Sequence, residues 1–157
     1  MATDSYRQSI GVLGDCMVSR ALQVYKEPNY LKIREILTAA DAVFANFESS
    51  CHTHLDDPFA QRNGGGSYIT TEPQHLEGLK WFGVNIVASG SSHADDYGPK
   101  GYMDTSRYLD AAGIVHAGAG RHLAEARSPA YLDTPTGRIG LVAATAQFRP
   151  EIGRAHV

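Results

Sequence analysis

Short apolar runs separated by segments of helical period set the tightest limit on what this chain can fold into. Ser9–Leu13, Ala42–Phe47, Val84–Ala88 and Ile114–Ala117 each have the length of a β-strand. Ala42–Phe47 is nearly uninterrupted in its apolar character, as expected of a strand buried on both faces. Between the runs, Pro28–Ala40 reads as a helix, with Pro28 near its start and Leu31, Ile33, Ile36 and Leu37 forming an apolar side. Thr71 is expected to cap a second helix through Phe82, with Leu76 and Leu79 inward and Gly83 as its stop. Lys100–Ala112 reads as a third helix ending at Gly113, and Leu123–Arg127 as a short fourth. Repeated strand–helix units dictate a layered α/β domain. The last pair of runs, Ala130–Leu132 and Ile139–Ala144, flanks the turn sequence DTPTGR and reads as a hairpin, which predicts a mixed sheet.

Bulk properties narrow the function classes. At 157 residues the chain has room for one domain with a real core. Its net charge of −3 is spread over interspersed acids and bases, which predicts no nucleic-acid partner, since that needs a concentrated basic face. No apolar run reaches the length of a membrane span, and the N-terminal MATDSYRQSIGVLGD lacks a signal-peptide core. The expectation is a soluble cytoplasmic protein. Cys16 and Cys51 are far apart and form no CxxC pair, so both read as reduced thiols. The final heptapeptide EIGRAHV matches one-frame translation of a common short-read sequencing adapter, whose next codon is a stop. The expected organisation is therefore a domain fragment over 1–150 and an adapter-derived tail over 151–157, with no role for His156.

Open α/β sheets bind ligands beyond the carboxyl ends of their strands. Three of the expected strands end there in polar groups: Gly14-Asp15, Asn46-Phe47-Glu48, and Ser91-Ser92-His93. Carboxylate and amide oxygens suit hard divalent cations, and a histidine beside them can act as ligand or as acid. Each piece alone has an ordinary structural reading: a strand-end Asp is commonly a turn residue, and a loop His commonly a polar surface group. Asn46 and Glu48, two positions apart, share one side of an extended strand.

Taken in order, GDCMVSR (14–20), ADAVFANFESS (40–50), SSHADDYG (91–98) and DTSRYLDAAGIVHAGAGRHLAEARSP (104–129) resemble the CapA family of capsule and poly-γ-glutamate biosynthesis proteins. The resemblance implies a layered α/β sandwich of the calcineurin-like metallophosphoesterase type, for which this chain supplies the N-terminal part. It further implies a divalent metal held by Asp15, Asn46, Glu48 and the position of Ser92, with His93 facing a phosphate. Ser91 and Ser92 stand where the family has two asparagines, and a serine hydroxyl is a shorter and poorer metal ligand than an amide. Arg20, Asp96 and Arg121 are the expected contacts to an anionic or phosphorylated small molecule or polymer.

Two function classes follow. One is a metal-dependent phosphoester hydrolase of capsule synthesis; the other is a non-catalytic, polymer-binding accessory whose metal site has degenerated. CHTH (51–54) reads as a solvated loop near the site mouth, with metal binding as the alternative. HAGAGRHL lacks the third glycine of a dinucleotide fingerprint, and neither a nucleophile elbow nor a P-loop is present.

Overall fold

Ala42–Phe47 (β2) forms the axis of the fold, flanked on both sides by parallel partners. The computed structural model describes residues 7–56, 59–60 and 67–146. The other strands of the main sheet are β1 (Ile10–Cys16), β5 (Ile86–Ala88) and β6 (Val115–Ala117), in the order β1-β2-β5-β6, all parallel. Two short strands between them, β3 (Ser50–Cys51) and β4 (Thr70–Thr71), pair with each other in parallel. The hairpin expected at the end of the chain forms as β7 (Ala130–Thr134) and β8 (Gly137–Leu141). It is a separate antiparallel sheet, so both pairing senses occur, but in different layers.

Helices α1 (Pro28–Thr38), α2 (Leu76–Trp81) and α3 (Gly98–Ala112) connect the parallel strands, and α4 (Leu123–Ala126) follows β6. Each has a local cause. Pro28 opens α1, where its missing N–H costs nothing. Gly113, at φ 71°, takes the left-handed conformation that ends α3. One helix begins later than expected. Thr71 is drawn into β4 opposite Cys51, and its Oγ1 lies 2.7 Å from Ser49 Oγ, so it cannot cap α2. A 3-10 turn over Pro73–His75 fills the gap.

The core lies on one face of the sheet. Val43, Ala45 and Phe47 of β2 and Val87 of β5 pack with Leu37, Leu79 and Leu109 from the three long helices. Each such aliphatic side chain contributes roughly 1.5–3 kcal/mol on burial. Only Leu37 of α1 is fully buried, and Ile33 and Ile36 stay 52% and 66% exposed, contrary to the expected apolar side. Tyr30 and Arg34, one turn apart, take the contact instead. Arg34 stacks 4.7 Å over the Trp81 ring and donates to Trp81 O, while Tyr30 meets Phe82 edge-on at 4.9 Å. Cys51 is buried and Cys16 half-buried; both are free thiols, and burial pushes them up to about 12 and about 11. Among the described residues no helix is long and apolar enough to cross a membrane.

Candidate functional site

The carboxyl ends of β1, β2 and β5 bring the expected residues together. Parallel pairing sets Asp15 opposite Asn46, and the register shifts between Val12 and Asp15, just before the site. Glu48 lies directly after β2, held by its own N–H donating to Cys16 O at 3.1 Å. The turn after β5 delivers Ser91, Ser92 and His93 to the same edge.

The polar groups form one connected chain. Asn46 Nδ2 donates to Asp15 Oδ1 at 2.9 Å and also to Glu48 Oε2. Ser92 Oγ donates to the other Glu48 oxygen at 2.9 Å. Two carboxylates thus converge on a single amide NH2 group, the site's only positive dipole in these bonds. Turning that carboxamide over would present its oxygen to the same point, since amide N and O are interchangeable in shape. The donor chemistry therefore fits a hard, oxygen-seeking cation: Asp15, Glu48 and the Asn46 amide would hold it, with Ser92 already committed to Glu48. Among the described residues no group of three His, Cys, Asp or Glu side chains converges to hold a metal, so the set rests on two carboxylates plus neutral oxygens.

His93 stands beside this chain. Its Nδ1 lies 2.7 Å from Asp96 Oδ2, both side chains being mostly shielded at 26% and 15% exposure. Its N–H donates to the buried Ser91 Oγ at 3.2 Å, and Ser50 Oγ donates to its carbonyl. With Nδ1 engaged, Nε2 is the nitrogen left for a ligand. Asp96 thus orients the imidazole, a positioning arrangement typical of working histidines, rather than contacting substrate as the sequence suggested.

The two arginines are placed elsewhere. Arg20 is exposed and bonded toward Tyr25, while Arg121, 71% exposed, is tied to Glu125 by both its backbone N–H and Nε. Neither joins the hydrogen-bonded chain. The GAG stretch has a packing role instead: a Cβ at Gly90 would lie 2.8 Å from Gly118 O, so the turns after β5 and β6 meet backbone to backbone. Gly118 itself sits at φ 106°, where a side chain is strained.

The family model for the bacterial capsule synthesis protein PGA_cap matches residues 9–156. The chain belongs to that family. Its fold is the metallophosphoesterase-like one, in agreement with the parallel sheet and one-sided helices seen here. Among curated proteins, two uncharacterized proteins of Sinorhizobium fredii are similar over 141 residues each. The first is 37% identical, the second 36%, and each alignment covers 88% of this chain. The chain spans about 30% of the length of these relatives. The family match runs into the terminal heptapeptide, which itself lies outside the described residues, as does His156.

One feature of this edge escaped sequence reasoning. His52 of CHTH is buried, not solvated, with its ring 4.3 Å from that of Tyr97. Only the pairing of β3 with β4, two residues each, encloses it, and strands that short leave no periodicity to read.

Proposed function

We propose that this chain carries the metal- and phosphate-facing half of a phosphoester-processing site used in capsule synthesis. The observation that supports this best is the convergence of Asp15 and Glu48 on the Asn46 amide. A divalent cation, when bound, supplies Lewis-acid polarisation of a phosphoryl oxygen. Asp15 and Glu48 hold that charge, Asn46 sets their spacing, and His93, oriented by Asp96, protonates the leaving oxygen or binds the phosphate through Nε2. The substrate is an anionic or phosphorylated small molecule or polymer.

A second reading is a non-catalytic accessory of the same family. It draws support from the two serines, since the Ser91 hydroxyl accepts from the His93 N–H and that of Ser92 donates to Glu48. Calorimetric titration with Mn2+, run on this chain and on a version extended to the length of its relatives, separates the two. The enzyme reading expects stoichiometric binding that Asp15→Ala weakens at least tenfold and Ser92→Asn strengthens, because an amide is the better ligand. It also expects hydrolysis of a model phosphodiester that is lost in His93→Ala with metal retained. Absence of Mn2+ binding in the extended protein leaves the accessory reading.

A further inference from the structure

Beside the 91–97 turn, but lined by different residues from the carboxylate chain, lies a cleft of about 490 Å3. Three histidines, His52, His54 and His75, line it with Thr70, Glu72 and Tyr97. His52 is 5% exposed, and its Nε2 has no hydrogen-bond partner. Its Nδ1 lies 3.4 Å from Thr53 O, which can only accept, so Nδ1 carries the proton and Nε2 the lone pair. Burial pushes the imidazole toward its neutral form, lowering its pKa below the ordinary histidine value. A buried acceptor without a donor is costly, by about 1–3 kcal/mol, and is the mark of a site completed by something else.

The rest of the wall says what that partner must be. Thr70 Oγ1 donates to the Tyr97 hydroxyl at 3.0 Å, which leaves the phenolic proton for a ligand. Ser19 adds a further hydroxyl at the rim. One Glu72 oxygen already accepts from Gln74 Nε2 at 2.8 Å. Among the described residues that line the cleft there is no lysine or arginine, so an anion finds no fixed counter-charge. A single exposed carboxylate, partly used, is a weak lure for an amine. The three imidazoles do not converge on a point where a metal ion would sit. What remains is a ring of alternating donors and acceptors beside an aromatic face, which suits a neutral group bearing several hydroxyls.

We propose that this cleft binds a neutral sugar unit, one hydroxyl donating to His52 Nε2 and another accepting from Tyr97. Such binding requires neither metal nor phosphoryl chemistry at Asp15 and Glu48, and it is read without either.

Histidine side-chain 1H–15N NMR of this chain, titrated with the methyl glycosides of glucose, galactose and N-acetylglucosamine, tests it. The expected result is a saturable shift of the His52 Nε2 resonance with at least one glycoside. Tyr97→Phe, which keeps the ring, and Glu72→Ala, on the surface, should each weaken binding by roughly fivefold. No saturable shift with any glycoside overturns the proposal. So does a His52 response confined to Zn2+ alone or to putrescine, which would make the cleft a metal or an amine site.

Discussion

Asp56 shows how a single side chain ties the segment after the site to the body of the fold. Its carboxylate accepts from Thr53 N–H at 2.7 Å, Thr53 Oγ1 at 2.8 Å and the Tyr108 hydroxyl at 2.9 Å, and it pairs with Arg107 at 2.9 Å. Those bonds, the Thr53 N–H foremost, hold its pKa well below the usual carboxylate range. The folded value is depressed, so the associated stability is fully present above the unfolded pKa of about 4 and is lost as the pH falls below it. Asp56→Asn is expected to lower the melting temperature at neutral pH, and the gap to the parent should close as the pH is taken from about 5 toward 2. Circular dichroism melts across that range check it; a gap that stays constant would show that charge is not what the turn uses. At this scale the sequence was partly legible. Asp15, Asn46 and Glu48 could be picked out because each follows or ends an apolar run. What could not be read was that one amide bridges both carboxylates, which depends on the register between β1 and β2. Nor could the pairing of Asp96 with His93 be distinguished from two independent polar loop residues.

Helix α3 carries Tyr97 into the cleft, and its start is set by steric fit as much as by propensity. Replacing a helical glycine by alanine ordinarily stabilises by about 0.5–1 kcal/mol. At Gly101 the added Cβ would lie 2.4 Å from Tyr97 Cβ, closer than two carbons can approach. Tyr97 cannot easily yield, because its hydroxyl is held by Thr70 and its ring by His52 and Tyr68. Overpacking costs about 1–3 kcal/mol, so Gly101→Ala is expected to be a net loss of stability. Urea unfolding would measure it, and an alanine variant as stable as the parent would mean the helix start simply shifts. Element identity was largely visible in the sequence for the same kind of reason. β2 was read at its true ends because six residues in a row are apolar or strand-buried. The end of α3 was visible in Gly113. α1 was found but its inward side was misjudged, since Tyr30 and Arg34 pack on Trp81 and Phe82 while the isoleucines face water. Hydrophobic period alone cannot see that an aromatic–guanidinium stack will outcompete aliphatic residues for a neighbouring helix.

The strand order accounts for the shape of the whole described molecule and for its exposed side. Moving steadily from β1 to β2 to β5 to β6 through right-handed crossovers places every connecting helix on one face. Val43, Ala45 and Val87 point there, so Ile10, Val12, Phe44 and Ile86 point the other way by strand alternation. The β7–β8 hairpin lies against β6 and reaches the start of β1 through Gln8 Nε2 donating to Thr134 Oγ1 at 2.8 Å. Ile86 is buried at 2%, yet Ile10 and Val12 remain 50% and 71% exposed. They sit on β1, which is also a sheet edge with an unpaired backbone side. Apolar side chains on an open edge strand are the ordinary cause of edge-to-edge association. The S. fredii relatives have more than three times the length that this chain spans, which gives such proteins further chain to lay over that face. The chain alone is therefore expected to self-associate with rising concentration, seen by light scattering, and to bind a hydrophobic dye. Val12→Lys should suppress both while leaving the circular dichroism spectrum unchanged, because that side chain lies outside the core. If the lysine variant associates as strongly as the parent, the exposed isoleucines of α1 become the surface responsible, and the open sheet face is already adequately covered by the hairpin.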